Sequence, residues 1–165
     1  MKNRTTRTLC AVALFGASTL AQAGALSVTE TTTLAAPPAK VWALIGNFGS
    51  LDWHPAVEKT EMTKGEAGQV GSIRHITLKG GGLIVEEQTA QGAQSMSYRI
   101  TESPLPVTGY ASDLMVEADG ANTRVTWRST FDAKEGASDA DATGAITGVY
   151  TGGFEALKAQ FGAAK

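Results

Sequence analysis

The last part of the chain contains its only long helical pattern, and this pattern constrains the fold more than any other feature. Ser138 is a favourable N-cap, and Asp139 and Asp141 follow it where the helix dipole stabilises carboxylates. Apolar and small residues then recur at helical spacing: Ile146, Val149, Tyr150, Gly153, Phe154, Leu157 and Phe161. The sequence therefore predicts an amphipathic helix over residues 139–164, whose apolar face must be covered by the rest of the chain.

The residues before this helix mostly follow a period of two, which is typical of strands. The predicted strands cover residues 25–34, 57–62, 70–78, 83–90, 95–102, 109–117 and 123–131. The turns between the last six are short, which favours antiparallel hairpins. After the first strand, Pro37 and Pro38 favour the start of a short helix over residues 39–47, and a second short helical segment is predicted over residues 51–54.

This order of elements predicts an α+β fold with helices segregated from an antiparallel sheet. Seven strands cannot bury one face against a single helix unless the sheet curves around it. We therefore expect a curved seven-stranded antiparallel sheet wrapped around the long C-terminal helix, with two short helices after the first strand. Such a sheet leaves a space beside the helix, and that space is the natural place for a ligand.

The first 23 residues have the composition of a secretory signal peptide. Lys2, Arg4 and Arg7 precede a short apolar run, and Ala21-Gln22-Ala23 has the pattern of a cleavage site. The apolar run is too short to span a bilayer. The sequence predicts cleavage near Ala23, one domain over residues 24–165, a periplasmic or secreted location, and no membrane span in the mature chain.

Composition excludes several classes of site and partner. Cys10 is the only cysteine and lies in the predicted signal peptide, so the mature chain has no disulfide and no thiolate chemistry. The full chain carries a net charge of −2, and removal of three basic residues with the signal peptide makes it more acidic. Scattered acidic charge argues against nucleic acid as a partner. Because the two histidines, His54 and His75, lack metal-ligand spacing, we expect no metal and no cofactor.

Several segments carry a resemblance to a known superfamily. They are Ala36-Pro37-Pro38-Ala39-Lys40-Val41-Trp42, Phe48-Gly49-Ser50-Leu51-Asp52-Trp53-His54-Pro55-Ala56-Val57, Gly71-Ser72-Ile73-Arg74, Val85-Glu86-Glu87, Ser103-Pro104-Leu105-Pro106-Val107 with Tyr110, and Thr123-Arg124-Val125-Thr126-Trp127. With them the chain resembles the START/Bet v 1-like (SRPBCC) helix-grip superfamily, and within it the polyketide cyclase/dehydrase and lipid-transport group. Trp53-His54-Pro55 in a secreted chain also resembles the MxaD-like periplasmic accessory proteins of bacterial methanol oxidation.

The resemblance implies positions for five residues. Trp53 and His54 would lie at the cavity mouth, although Trp53 could instead plug the core and His54 could lie on the surface. Glu86 and Tyr110 would face the cavity from the sheet. Arg74 could pair with Glu86 across adjacent strands, and buried together they could hold a ligand carboxylate or carbonyl. The alternative is that both charges lie on the solvated face of the sheet.

Strand alternation and the helical pattern add candidate wall residues. The complete set of predicted ligand-binding residues is Trp53, His54, Arg74, Glu86, Tyr98, Tyr110, Trp127, Ile146, Val149, Tyr150 and Phe154. Gly144, Gly148, Gly152 and Gly153 lie within the predicted helix and cost about 1 kcal/mol each relative to alanine. Only Gly153 belongs to the apolar arc, so close packing explains one of the four at most. A further hypothesis is that this half of the helix bends or frays to admit a ligand.

Three functions follow from these expectations. The first is a periplasmic binding protein that holds a hydrophobic or amphipathic small molecule or lipid between the sheet and the C-terminal helix. The second is an MxaD-like accessory role, docking on a periplasmic redox enzyme. The third is a polyketide cyclase- or dehydratase-like enzyme using Glu86, Tyr110 and His54 for acid–base work. The few ionisable candidates favour binding over catalysis, and we assign no catalytic residue.

Overall fold

The structure, a computed structural model, describes residues 25–164. The predicted signal peptide over residues 1–23 lies outside the described residues. The strands are β1 (Leu26–Leu34), β2 (Val57–Lys64), β3 (Ile73–Leu78), β4 (Leu83–Gln91), β5 (Ser95–Glu102), β6 (Val107–Asp119) and β7 (Asn122–Ala133). The helices are α1 (Pro38–Ile45) and α2 (Asp139–Phe161).

The seven strands form one curved antiparallel sheet in the order β1-β7-β6-β5-β4-β3-β2. Consecutive strands from β2 to β7 pair as hairpins, as their short connections predict, and β1 pairs with β7 from Leu26↔Phe131 to Leu34↔Thr123. The expected α+β fold, a curved sheet wrapped around a long C-terminal helix, is confirmed.

The described residues contain one short helix after β1 rather than two. Residues 51–54 form a tight turn, in which His54 N–H donates to the Leu51 carbonyl at 2.9 Å. The turn cannot extend into a helix because Pro55 has no N–H and disfavours helical backbone at the residue before it. The prediction of a second short helix was therefore wrong.

Helix α2 begins as predicted and ends earlier. Ser138 caps it by accepting the Asp141 N–H at 3.1 Å. Its last residue is Phe161, because Gly162 adopts φ +82° and leaves the helical path. The chain then runs beside the end of β1, where Ala163 bridges Leu34 and Ala164 N–H donates to the Thr33 carbonyl.

The position of α2 divides the core into two clusters. The helix packs over β1 and β7, and α1 packs over β6 and β7. A large cluster fills this half of the sheet and includes Leu34, Phe48, Phe131 and Tyr150, all fully buried. A smaller cluster of Leu51, Val57, Ile76 and Ile84 lies over the other half. Because α2 does not cover this second half directly, an open space remains there.

Candidate ligand-binding cavity

A cavity of about 200 Å³ lies beside the smaller cluster. Its walls are mostly aliphatic, with Ile76 and Leu78 from β3, Ile84 from β4 and Ile100 from β5. Leu105 from the loop after β5 contributes as well, and helix α2 contributes Ile146 and Val149. An apolar pocket with a few polar groups is the usual form of a small-molecule site.

Seven of the predicted ligand-binding residues lie on the cavity wall. They are His54, Glu86, Tyr98, Tyr110, Trp127, Ile146 and Val149. The other four, Trp53, Arg74, Tyr150 and Phe154, do not line the cavity and lie behind its wall.

Three of these four pack around Trp127. The ring centroid of Trp127 is 4.4 Å from that of Tyr150 in a stacked arrangement, 6.0 Å from Trp53 and 6.3 Å from Phe154. Trp53 is half-buried, and its indole N–H has no acceptor among the described residues. Because Tyr150 lies directly on Trp127, helix and sheet are in contact there and the cavity ends at this point.

Arg74 and Glu86 face each other across β3 and β4 and are both buried, at 1% and 5% exposure. Arg74 Nε and Nη2 lie 2.8 and 2.6 Å from the same oxygen, Glu86 Oε2. Its Nη1 donates to the Phe48 carbonyl at 2.9 Å, and the guanidinium lies over the Phe48 ring at 4.3 Å. The alternative that this pair lies on the solvated face is wrong. The ion pair on the opposite face is Arg99–Glu87, which joins β5 to β4.

Burial and the Arg74 guanidinium act in opposite directions on the pKa of Glu86. Loss of water raises the pKa of its carboxyl, and the adjacent Arg74 guanidinium opposes that rise. A buried ion pair survives only with good geometry and further hydrogen bonds, and the Phe48 carbonyl provides one. The two short contacts from Arg74 to Oε2 are those of an ion pair, so Glu86 is a carboxylate at the cavity wall, while Arg74 itself does not reach the lumen.

His54 connects the turn before β2 to helix α2. Its Nε2–H donates to the Val149 carbonyl at 2.9 Å, and its Nδ1 accepts the Ala56 N–H at 3.2 Å. These partners assign the neutral tautomer with the proton on Nε2. The side chain is 4% exposed, so the alternative of a surface histidine is wrong. Both ring nitrogens are used within the protein.

We expect the free energy of unfolding to fall in mild acid because of His54. Burial, aided by the positive charge of Lys79, lowers the pKa of His54 below 6.5, while the Val149 carbonyl opposes this. The unfolded chain then binds the proton more readily than the folded chain does. The contribution of neutral His54 to the free energy of unfolding is therefore complete above about pH 6.5. It declines below that pH, by about 1.4 kcal/mol in total for each unit by which the folded and unfolded pKa values differ. Protonation also removes the bond from Ala56 N–H to Nδ1.

Urea unfolding of the wild type and His54→Gln between pH 5 and 8 measures this effect. The free energy of unfolding of His54→Gln should depend less on pH in this range than that of the wild type. The matched control is His75→Gln on β3, a half-buried histidine on the opposite face from Arg74, which should retain it. Equal slopes in the wild type and His54→Gln would show that another group is responsible.

Hydroxyl groups form the remaining polar contacts near the cavity. Trp127 Nε1–H donates to Tyr98 Oη at 2.7 Å, and the hydroxyls of Tyr110 and Tyr150 are 2.6 Å apart. Burial raises the pKa of both Tyr98 and Tyr110. These phenols are therefore neutral hydrogen-bonding groups near pH 7.

The strands β5 and β6 separate next to the cavity. Their pairing ends at Arg99↔Ala111, and a bulge in β6 at Gly109 and Tyr110 accompanies the separation. An outer depression of about 310 Å³ opens here, and Ile100 and Tyr110 line both it and the cavity. These two side chains thus stand between the cavity and the outer face of the sheet.

Sequence reasoning missed much of the aliphatic wall. Ile76 and Leu78 follow Arg74 at two-residue steps, and Ile84 precedes Glu86 by two, so alternation alone places them on the faces of those residues. Leu105 reaches the cavity because of the path of its loop, and neither strand alternation nor helical spacing can predict that path.

Within residues 25–164, no three potential metal ligands of the His, Cys, Asp or Glu type come together. No helix in this part of the chain is long and apolar enough to cross a membrane.

A protein-family model described as polyketide cyclase / dehydrase and lipid transport matches residues 25–162. No curated protein matches the sequence at a significant level. Among solved structures, the protein XoxI from Bacillus cereus is 33% identical with a TM-score of 0.75, over 82% of this chain and 94% of that one. An uncharacterised protein from Bacillus thuringiensis is 30% identical with the same TM-score, over 82% and 98% of the two chains.

The protein Ara h 8.0201 shares the fold at 19% identity, with a TM-score of 0.67 over 82% of this chain and 96% of that one. The family match covers nearly all of the described residues, and the relatives at 30% identity or more are matched over almost their whole length. The chain therefore belongs to the polyketide cyclase/dehydrase and lipid-transport family of the START/Bet v 1-like (SRPBCC) superfamily.

Proposed function

We propose that this protein is a binding protein that holds a hydrophobic or amphipathic small molecule in the cavity between the sheet and α2. The observation that supports it is an apolar cavity of about 200 Å³ left open in an otherwise filled core. Empty apolar cavities of roughly 150 Å³ in other proteins stay dry and take up benzene. The cavity thus suits a ligand of one or two rings, or a short branched chain.

Binding is favoured over catalysis by the way the ionisable groups are used. A general acid or base needs a nitrogen or oxygen free to exchange a proton with the substrate. Both nitrogens of His54 are bonded within the protein, and the Arg74 guanidinium on Glu86 Oε2 opposes protonation of that carboxylate, which makes it a weaker base. A role in carriage or sensing needs no such group, and the signal-like residues 1–23 suggest that it takes place in the periplasm.

The docking alternative receives less support from the surface. Docking on a redox enzyme would use an exposed apolar patch. Among the described residues, Val70 and Leu83 are the large hydrophobic side chains that are exposed. Native mass spectrometry of protein purified from its own host tests both ideas. A small adduct supports carriage, whereas a co-purifying dehydrogenase or cytochrome together with an empty cavity contradicts it.

Filling the cavity should abolish binding. Ile84→Trp places an indole in the cavity from β4, a strand position that tolerates aromatic residues. We expect the affinity for 1-naphthol, measured by isothermal titration calorimetry, to fall by at least tenfold. The adjacent Leu83→Trp is the matched control, because Leu83 is exposed on the opposite face of the same strand. Equal affinities of the two variants would place the ligand outside this cavity.

A further inference from the structure

We infer that the bound molecule presents a hydrogen-bond donor, such as a phenol or alcohol hydroxyl, to Glu86, and that the cavity discriminates against carboxylates. This inference rests on the proposed function and specifies its ligand class. It reverses the initial expectation that Arg74 and Glu86 together could hold a ligand carboxylate.

The first observation is the direction of the Arg74 guanidinium. Its Nε and Nη2 bond to Glu86 Oε2, and its Nη1 bonds to the Phe48 carbonyl. The rings of Phe48 and Tyr98 lie 4.3 and 5.3 Å from its central carbon. Arg74 is 1% exposed and does not line the cavity. The positive charge of Arg74 is therefore paired with Glu86 behind the cavity wall and does not face a ligand.

The second observation concerns Glu86, the one charged residue on the cavity wall. Both contacts from Arg74 end on Oε2. No other described residue donates a hydrogen bond to Oε1. A buried carboxylate oxygen has room for two acceptor directions and gains from each donor that it finds. A ligand hydroxyl or N–H would supply the missing donor.

The third observation is that the side-chain N–H groups of the two wall residues His54 and Trp127 already have acceptors. His54 Nε2–H donates to the Val149 carbonyl, and its Nδ1 is an acceptor. Trp127 Nε1–H donates to Tyr98 Oη. Lys79, the cation that acts on His54, is exposed outside the cavity. A ligand carboxylate would thus meet the like charge of Glu86 in a low-dielectric space, with no cation among the described wall residues to face it.

Three molecules of one shape test the inference on the unmodified protein at pH 7.5: 1-naphthol, naphthalene and 1-naphthoate. Calorimetry should show 1-naphthol binding at least tenfold more tightly than naphthalene, and 1-naphthoate the most weakly. If 1-naphthoate binds as tightly as 1-naphthol, the inference is wrong while the proposed function stands. If none of the three binds, the proposed function itself fails for ligands of this size.

A double variant, Arg74→Met with Glu86→Leu, assigns the effect to the pair. Apolar residues of similar volume often replace a buried ion pair without loss of stability, so this variant is expected to fold. The ratio of the affinities for 1-naphthol and naphthalene, both measured on this variant, should shrink at least threefold relative to the wild type, and the penalty on 1-naphthoate should decrease. An unchanged advantage of 1-naphthol would show that the hydroxyl is recognised elsewhere.

Discussion

Arg74→Ala is expected to lower the free energy of unfolding by about 3–5 kcal/mol. The substitution leaves the Glu86 carboxylate buried without its partner, 5% exposed and facing an apolar cavity. It also removes the hydrogen bond to the Phe48 carbonyl and the contacts of the guanidinium with two aromatic rings. Urea unfolding monitored by circular dichroism measures the loss.

Two controls separate the buried charge from general damage. In Arg74→Met/Glu86→Leu no charge remains unpaired, so most of the lost stability should return. Arg99→Ala breaks the exposed pair with Glu87 on the opposite face, and should cost about 1 kcal/mol or less. The loss in Arg74→Ala should also shrink in acid, because a protonated Glu86 needs no counter-charge. Similar losses for Arg74→Ala and Arg99→Ala would contradict this account of the pair.

Gly153→Ala is expected to destabilise the protein by about 1–3 kcal/mol, although alanine is the better helix former. A Cβ on Gly153 would lie 2.9 Å from His54 Cδ2 and 3.2 Å from Trp127 Cζ3. The His54 ring cannot move aside freely, because Val149 and Ala56 hold it and it packs edge-on against Trp127 at 6.2 Å. The substitution should therefore strain the connection between helix and turn.

Gly148→Ala in the same helix is the matched control, since a Cβ there would meet nothing within 4 Å. Helix propensity then acts alone, and stability should rise by up to about 1 kcal/mol. Urea unfolding of both variants at pH 7.5 should show opposite signs. If Gly153→Ala also stabilises, the close approach of α2 to His54 does not constrain this position.

Periodicity was sufficient to predict most of the fold. Alternation identified all seven strands, and the spacing of Ile146, Tyr150, Phe154 and Leu157 identified the buried face of α2. The same arc contained Gly153 alone of the four helix glycines, so packing was expected to explain one of them at most, and a Cβ at Gly144, Gly148 or Gly152 would indeed meet open space. That the half of the helix from Gly144 to Gly153 bends or frays to admit a ligand stays a prediction.

The candidate site was harder to predict because its limits are set by tertiary packing. Alternation places Arg74 and His75 on opposite faces but does not say which face is buried. The separation of wall residues from those behind them depends on α2 lying over β1 and β7, where Tyr150 stacks on Trp127. Helical spacing cannot reveal this offset, so Tyr150 and Val149 looked equivalent in the sequence.

The core is divided into a filled half, which stabilises the fold, and a hollow half, which contains the cavity. The filled half, around Phe131 and Leu34, supplies most of the buried area on which folding depends. The hollow half, around Ile76 and Ile84, can exchange one aliphatic side chain for another at modest expense, because no neighbour fits tightly against it on the cavity side. Under the proposed function, substitutions in the hollow half would change which ligand is bound, while the filled half would keep the fold intact.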